Sequence, residues 1–187
     1  GGQLGRMFVH AAQRLGLRVL VLDPDTDSPA GRAADRLLCE SYESAAALAD
    51  MARCCTAVTT EFENVPAASL QALAAACTVA PVADAVRICQ HRALEKGHFV
   101  RSGVPCAAHA RIESDADLAA VDAAALLPGI LKTSQLGYDG KGQARVATPA
   151  ELAAAWAQMG RVPCLLEGLA EAHQHLFAEP TGLGRDR

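Results

Sequence analysis

Residues 17–22 read LRVLVL and stop at Asp23-Pro24-Asp25. An apolar run of that length, closed by a proline turn, reads as a buried strand. Before it, Met7, Phe8, Ala11, Ala12 and Leu15 recur at helical spacing until Gly16. After it, a strand is expected near 36–39, a helix over 43–53 and a β-branched strand at 56–60 (TAVTT). Asn64 can cap a further helix, with Pro66 in its first turn, running to about Cys77. A short strand follows at 78–81. Strands alternating with helices of about 10–15 residues imply a parallel sheet with helices on both faces. Such sheets bind ligands at the C-terminal ends of their strands. Here those ends are the loop at Gly1–Gly2 and the segment 60–65.

From residue 83 the rhythm changes. Helices are expected at 83–90 and 92–102, then a strand (107–112), a helix (114–126) and a strand (129–133). A glycine loop leads to a strand (143–147), a helix (149–159) and a strand (163–167). Strand pairs joined by a short loop suggest an α+β domain with a hairpin carrying the glycines. The reading is therefore an α/β parallel-sheet domain over 1–82 and an α+β domain over 83–167. The tail 168–187 fits neither pattern.

Composition removes several function classes. A net charge of −4 gives no general pull toward nucleic acid or anionic membranes. No apolar run reaches the roughly 18 residues of a membrane span. The seven cysteines show no CxxC spacing and read as buried thiols in a reducing cytosol. Aromatics are only 4%, so the core must come from Ala, Leu and Val; Trp156, at helical spacing with Leu152 and Met159, belongs to it. His173 and His175 resemble a metal pair, but no Cys or paired acid supports them, and no metal ligand is assigned in this chain.

Three constellations carry chemistry. Residues 137–143 read GYDGKGQ, and Lys141 is followed by Gly142, so this is not a Walker A loop. It joins two strands, as a flap would. Its glycines let backbone amides approach phosphate, and Lys141 and the strand-ending Lys132 add charge. Arg92 and Lys96 lie one helical turn apart and either face a nucleotide or form a solvated helix face. Glu61 and Glu63, one residue apart in TTEFENVP, would point the same way in an extended segment and could grip an amine-bearing substrate. GGQLGR opens a helix, where backbone N–H groups favour phosphate, and Asp23 follows at about the 20-residue distance of a dinucleotide-fold ribose ligand.

Taken together, GGQLGRM, VLDPDTDSPAGRAADR, TTEFENVP and LGYDGKGQ resemble, in order and spacing, the 5-(carboxyamino)imidazole ribonucleotide synthases, ATP-grasp ligases of purine biosynthesis. The resemblance covers about residues 1–167. It implies a Rossmann-like parallel-sheet domain followed by an incomplete ATP-grasp domain. It implies a cytoplasmic carbon–nitrogen ligase, homodimeric at full length, with ATP and Mg²⁺ as cofactors. Its substrates would be 5-aminoimidazole ribonucleotide and bicarbonate, joined through carboxyphosphate. Arg92, Lys132, Gly137, Tyr138, Asp139, Gly140, Lys141, Gly142 and Gln143 then match nucleotide-binding positions. Glu167, Gly168, Leu169 and Ala170 match the adenine- and ribose-contacting segment. Tyr138 and Asp139 would also approach the imidazole. Gly2, Gln3 and Leu4 match the loop near the ribonucleotide phosphate, and Glu61 or Glu63 the bicarbonate side.

Some departures go with the resemblance. A first strand expected before Gly1 is missing, the family's ribose-contacting Glu falls near His175, and the second ATP-grasp half with its metal-binding acids is absent. The expectation is a truncated chain that does not turn over alone. Other readings are a different ATP-grasp ligase, a nucleotide-binding module without catalysis, and a nicotinamide dehydrogenase, which leaves GYDGKGQ without a role.

Overall fold

The computed structural model describes residues 1–135, 137 and 142–169. The chain divides into two compact units, Gly1–Gln90 and His91–Arg187.

The first unit runs α1 (Gln3–Arg14), β1 (Leu20–Leu22), α2 (Pro29–Ala33), β2 (Arg36–Leu38), α3 (Ala45–Cys54), β3 (Ala57–Thr59), α4 (Ala67–Ala74), β4 (Thr78–Ala80) and α5 (Ala83–Cys89). The alternation read from the sequence is present and the strands are parallel. β1 pairs with β2 from Leu20–Arg36 to Leu22–Leu38, and β3 pairs with β4 from Ala57–Thr78 to Thr59–Ala80. In place of one continuous sheet there are two two-stranded sheets. β1 and β3 both line an apolar cavity of about 200 Å³, together with Leu4, Phe8, Leu70 and Leu73. Each strand thus has a ladder on one side only, and no described strand joins them. Met51, Val58, Leu70, Leu73, Val79 and Val86 form the core.

Three local features add to or change the sequence reading. The buried face of α1 is Val9 and Ala12, while Met7, Phe8 and Leu15 are exposed. The cause is α2, a five-residue helix too short to announce itself by periodicity. Its Ala30 is small enough to let α1 approach closely, its Cβ standing 3.2 Å from where a Cβ on Gly5 would sit. The N-cap of α4 is Pro66, not Asn64. Proline biases the residue before it, Val65, away from helix, so the helix cannot begin earlier. Finally, α5 groups with the first unit rather than lying beyond a boundary at 82. The Gln90 side chain donates to the carbonyls of Glu63 (2.7 Å) and Val65 (2.6 Å) and ties that end of α5 down.

The second unit runs α6 (Arg92–Arg101), β5 (His109–Ile112), α7 (Asp115–Ala119), α8 (Ala123–Leu126), β6 (Gly129–Thr133), β7 (Gln143–Val146), α9 (Pro149–Gln158) and β8 (Cys164–Gly168). Its sheet has the order β5-β8-β6-β7, and every neighbouring pair is antiparallel. The expected hairpin is β6–β7, in register from Gly129–Val146 to Lys132–Gln143. The helix expected over 114–126 is broken. Asp122 accepts from the N–H groups of Ala124 and Ala125, and this new cap starts α8. Ile112, Leu131, Leu152, Trp156, Cys164 and Leu166 are core. Trp156 Nε1–H donates to Val162 O (2.9 Å), and the Arg161 guanidinium lies 5.3 Å from its ring centroid.

The cysteines are free thiols, but not uniformly buried. Cys39, just after β2, and Cys54 and Cys89, the last residues of α3 and α5, are exposed. Cys164 lies in the central strand, and burial pushes its thiol up to about 11.

Candidate functional site

In the second unit the register of β6 and β8 builds a cationic cluster. Ile130 lies opposite Glu167 and Lys132 opposite Leu165. Lys132 is therefore the diagonal neighbour of Glu167 on the same face of the sheet. Its Nζ donates to Glu167 Oε2 at 2.7 Å. From α6, Lys96 Nζ reaches Glu167 Oε1 at 3.5 Å. The side chains are 20%, 15% and 15% exposed for Lys132, Lys96 and Glu167, so the three charges are largely withdrawn from water. Burial pushes the Glu167 carboxyl up. The Lys132 hydrogen bond and the two ammonium charges outweigh it, and the group ends below the ordinary glutamate range.

One helical turn before Lys96, Arg92 opens α6. Its backbone N–H donates to Ser134 O (2.9 Å), and its Nη2 lies 3.5 Å from Gly137 O. Arg92, Lys132 and the start of the glycine loop are thus brought together. At the loop's far end Gly142 has φ of +70°, and a Cβ there would stand 2.7 Å from Thr133 Oγ1. Only glycine fits this turn. Its carbonyl accepts from Thr133 N–H at 2.8 Å and closes the hairpin on which Gln143 begins β7. Gly168 and Leu169 continue β8, with Leu169 N–H donating to Pro128 O (3.0 Å). Ser134 Oγ and His91 Nδ1 are buried without a hydrogen-bond partner, polar atoms that a bound group or water could satisfy. Tyr138, Asp139, Gly140, Lys141 and Ala170, with His173 and His175, lie outside the described residues.

In the first unit Gly2 is the N-cap of α1 and makes no side-chain cap, so the first N–H groups of Gln3 and Leu4 face outward. Glu61 Oε1 lies 3.0 Å from where a Cβ on Gly5 would sit, against the first turn of this helix. Glu63 does not join it. The turn begins at Glu63, over residues 63–64, so the extended segment assumed for the pair ends between Glu61 and Glu63. Asp23, the proposed ribose ligand of a dinucleotide fold, is engaged by the chain itself. It accepts from Gly1 N (2.9 Å), Asp25 N–H (2.9 Å) and Tyr42 Oη (2.9 Å). Burial raises its carboxyl and these donors lower it further, so the net shift is downward. The Tyr42 phenol is pushed up to about 12, first by burial, then by its hydrogen bond to Asp23 and the charges of Asp23 and Glu61.

Among the described residues no three His, Cys, Asp or Glu side chains are grouped to hold a metal ion. Glu167, the carboxylate nearest the cationic cluster, already faces two ammonium groups. No described helix is long and apolar enough to cross a membrane.

The two units correspond to two known domains. A family model of the ribonucleotide synthetase preATP-grasp domain matches residues 1–90, and one of the ATP-grasp domain matches residues 97–176. The chain is an ATP-grasp protein of the ribonucleotide synthetase type. Over 168 residues it is 42% identical to the N5-carboxyaminoimidazole ribonucleotide synthase of Pseudomonas aeruginosa, covering 90% of this chain and 46% of that protein. The Brucella melitensis synthase is 39% identical, with 91% and 48% covered. The crystal structure of the Staphylococcus aureus N5-carboxyaminoimidazole synthetase complexed with ADP superposes with a TM-score of 0.83 at 30% identity, covering 90% of this chain and 45% of that one. The Aspergillus clavatus enzyme, in complex with ADP and 5-aminoimidazole ribonucleotide, gives 0.77 at 32% identity, covering 89% and 44%. The chain belongs to the N5-carboxyaminoimidazole ribonucleotide synthase family and spans just under half the length of these relatives.

Of the residues singled out from sequence, the structure gathers Arg92, Lys132, Gly137 and Glu167 in one unit and sets Glu61 beside the helix start at Gly2–Leu4. Sequence reasoning did not foresee that Lys132 and Glu167, 35 residues apart, are partners. It left Lys96 open. The usable signal was Arg92-x-x-x-Lys96 at one-turn spacing, with no visible partner for the lysine.

Proposed function

We propose that the protein to which these residues belong carboxylates 5-aminoimidazole ribonucleotide with bicarbonate at the expense of ATP. In this reading a bicarbonate oxygen attacks the γ-phosphorus, ADP leaves, and carboxyphosphate forms. The exocyclic amine then attacks the carboxyl carbon, the C–O bond to phosphate breaks, inorganic phosphate departs, and the amine loses a proton. Phosphorylation is needed because bicarbonate is a poor electrophile without a leaving group.

The observation that carries the reading is the half-buried Lys132–Glu167–Lys96 cluster beside Arg92 and the loop entry, in a unit that superposes on an ADP-bound relative. Cations fixed on strands and a helix start can meet phosphate charge with little reorganisation. Arg92, Lys132, Gly137 through Gln143 and Glu167 through Ala170 are assigned to ATP. Gly2, Gln3 and Leu4 are assigned to the ribonucleotide phosphate, and Glu61 or Glu63 to the bicarbonate side. Tyr138 and Asp139 complete the imidazole contact. Mg²⁺ would accompany the nucleotide's phosphates; no step here is assigned to it. A cytoplasmic location and a full-length homodimer rest on the resemblance alone.

A chimera tests this directly: residues 1–167 replace their counterparts in the Pseudomonas aeruginosa relative. ADP release that depends on both 5-aminoimidazole ribonucleotide and bicarbonate is expected. Lys132→Met should lower it between about tenfold and a hundredfold, the scale of one or two charge-assisted hydrogen bonds. ADP release indifferent to the ribonucleotide, or dependent on a different amine, would refute the assignment.

A further inference from the structure

The lysine on the second turn of α6 has no role in the site as assigned so far. Lys96 is only 15% exposed, so it is not one of the solvated lysines common on helix surfaces. Among the described residues Glu167 is the sole carboxylate within ion-pair distance of either Lys96 or Lys132. Two ammonium groups therefore divide one carboxylate, and the cluster carries one formal positive charge in excess. Were Lys96 absent, Lys132 and Glu167 would form a neutral pair, and an approaching phosphate would meet a dipole with its ammonium already committed. In a site withdrawn from water that difference is large, because screening is weak.

We propose that Lys96 is a positioning residue of the nucleotide site: by drawing on Glu167 it keeps the Lys132 ammonium available to a phosphate anion. This rests on the nucleotide reading above. Besides its assigned place at the nucleotide, Glu167 holds both lysines at fixed distance. Its two oxygens are divided between them, Oε2 to Lys132 at 2.7 Å and Oε1 to Lys96 at 3.5 Å. When phosphate draws Lys132 forward, the Lys132–Glu167 contact lengthens and the carboxylate keeps Lys96 as its partner.

The charge argument makes a signed prediction for a double-variant cycle on the 187-residue chain, read as ATP affinity by calorimetry. Lys96→Met should weaken binding roughly tenfold, the scale of one charge-assisted hydrogen bond. Lys96→Arg should retain it. Glu167→Gln alone reads any contact that Glu167 itself makes with the nucleotide, and in that background Lys96→Met should cost little, because no carboxylate is left to commit Lys132. A Lys96→Met loss as large in the Glu167→Gln background as in the parent would overturn the proposal, because Lys96 would then act by packing. A second readout needs no nucleotide. In the free chain, acylation of Lys132 by acetic anhydride, mapped by mass spectrometry, should slow with Lys96→Met and return to the parent rate with Lys96→Arg. An unchanged Lys132 rate would show that the two lysines do not share Glu167. If the parent chain bound no ATP while this coupling held, the nucleotide reading would fall and the shared carboxylate would stand.

Discussion

In the ATP-grasp unit β8 is bonded on both sides, to β5 and to β6; in the preATP-grasp unit no described strand has a neighbour on both sides. Leu131, Cys164, Leu165 and Leu166, on the two strands bonded on both sides, are 0% exposed, whereas Met51, Val58 and Val79 in the first unit keep 7–8%. The same unit shows Leu4, Met7 and Leu15 at 63–80% on α1, beside the cavity that β1 and β3 line. A strand held on both edges can fix a side chain such as Glu167 to within a fraction of an ångström, and a strand end with one open edge cannot do so as well. The cations assigned to phosphate stand on the firmer of the two frames.

The largest effect should come from the doubly bonded strand. Leu166→Ala removes a fully buried side chain from β8 and should cost about 3–4 kcal/mol, within the range for large-to-small core changes. Trp156, the only tryptophan, lies in this unit, so its fluorescence in a urea titration reads that loss alone. Leu70→Ala in the first unit should cost less, about 2 kcal/mol, because Leu70 already borders a cavity and leaves fewer contacts to lose. Amide exchange within residues 1–90 measures it. A cost for Leu70→Ala equal to that of Leu166→Ala would break the comparison between the units.

Acid should separate them further. The Glu167 carboxyl is held below its ordinary value of 4.5, so its contribution to stability is complete above that pH and is lost as pH falls through the lower, folded value. Glu167→Gln should therefore flatten the acid limb of the Trp156 unfolding curve and leave the neutral-to-basic limb in place. Asp23, also lowered, should give the same sign below its ordinary value of 3.8, seen by amide exchange in the first unit. The smallest effect is expected at the exposed Asp84–Arg87 pair on α5, where Arg87→Ala should change stability by less than about 0.5 kcal/mol.

Much of this was legible in the residues. The strand–helix alternation before residue 82 and the β6–β7 hairpin both follow from local periodicity and glycine placement. The limits are equally physical. α2 spans little more than one turn and carries no period, so the helical spacing in α1 did not show that Val9 and Ala12 are its buried residues while Met7, Phe8 and Leu15 stay exposed. The break between α7 and α8 depends on Asp122 capping, which competes with a helical pattern that runs straight through it. The pairing of Glu167 with Lys132 and Lys96 depends on strand register and helix docking, and no spacing along the chain encodes either. Period-two reasoning over Glu61 and Glu63 holds only while the backbone stays extended, and a turn occupies residues 63–64.

The central claim is that the second unit's strands and helix start hold the nucleotide's phosphates. Hydrogen exchange of the chain with and without ATP, resolved by peptide, tests it most directly. The account predicts slowed exchange in β6, in β8 and at the start of α6, abolished by Lys132→Met. Protection confined to residues 1–90, or none at all, would contradict it.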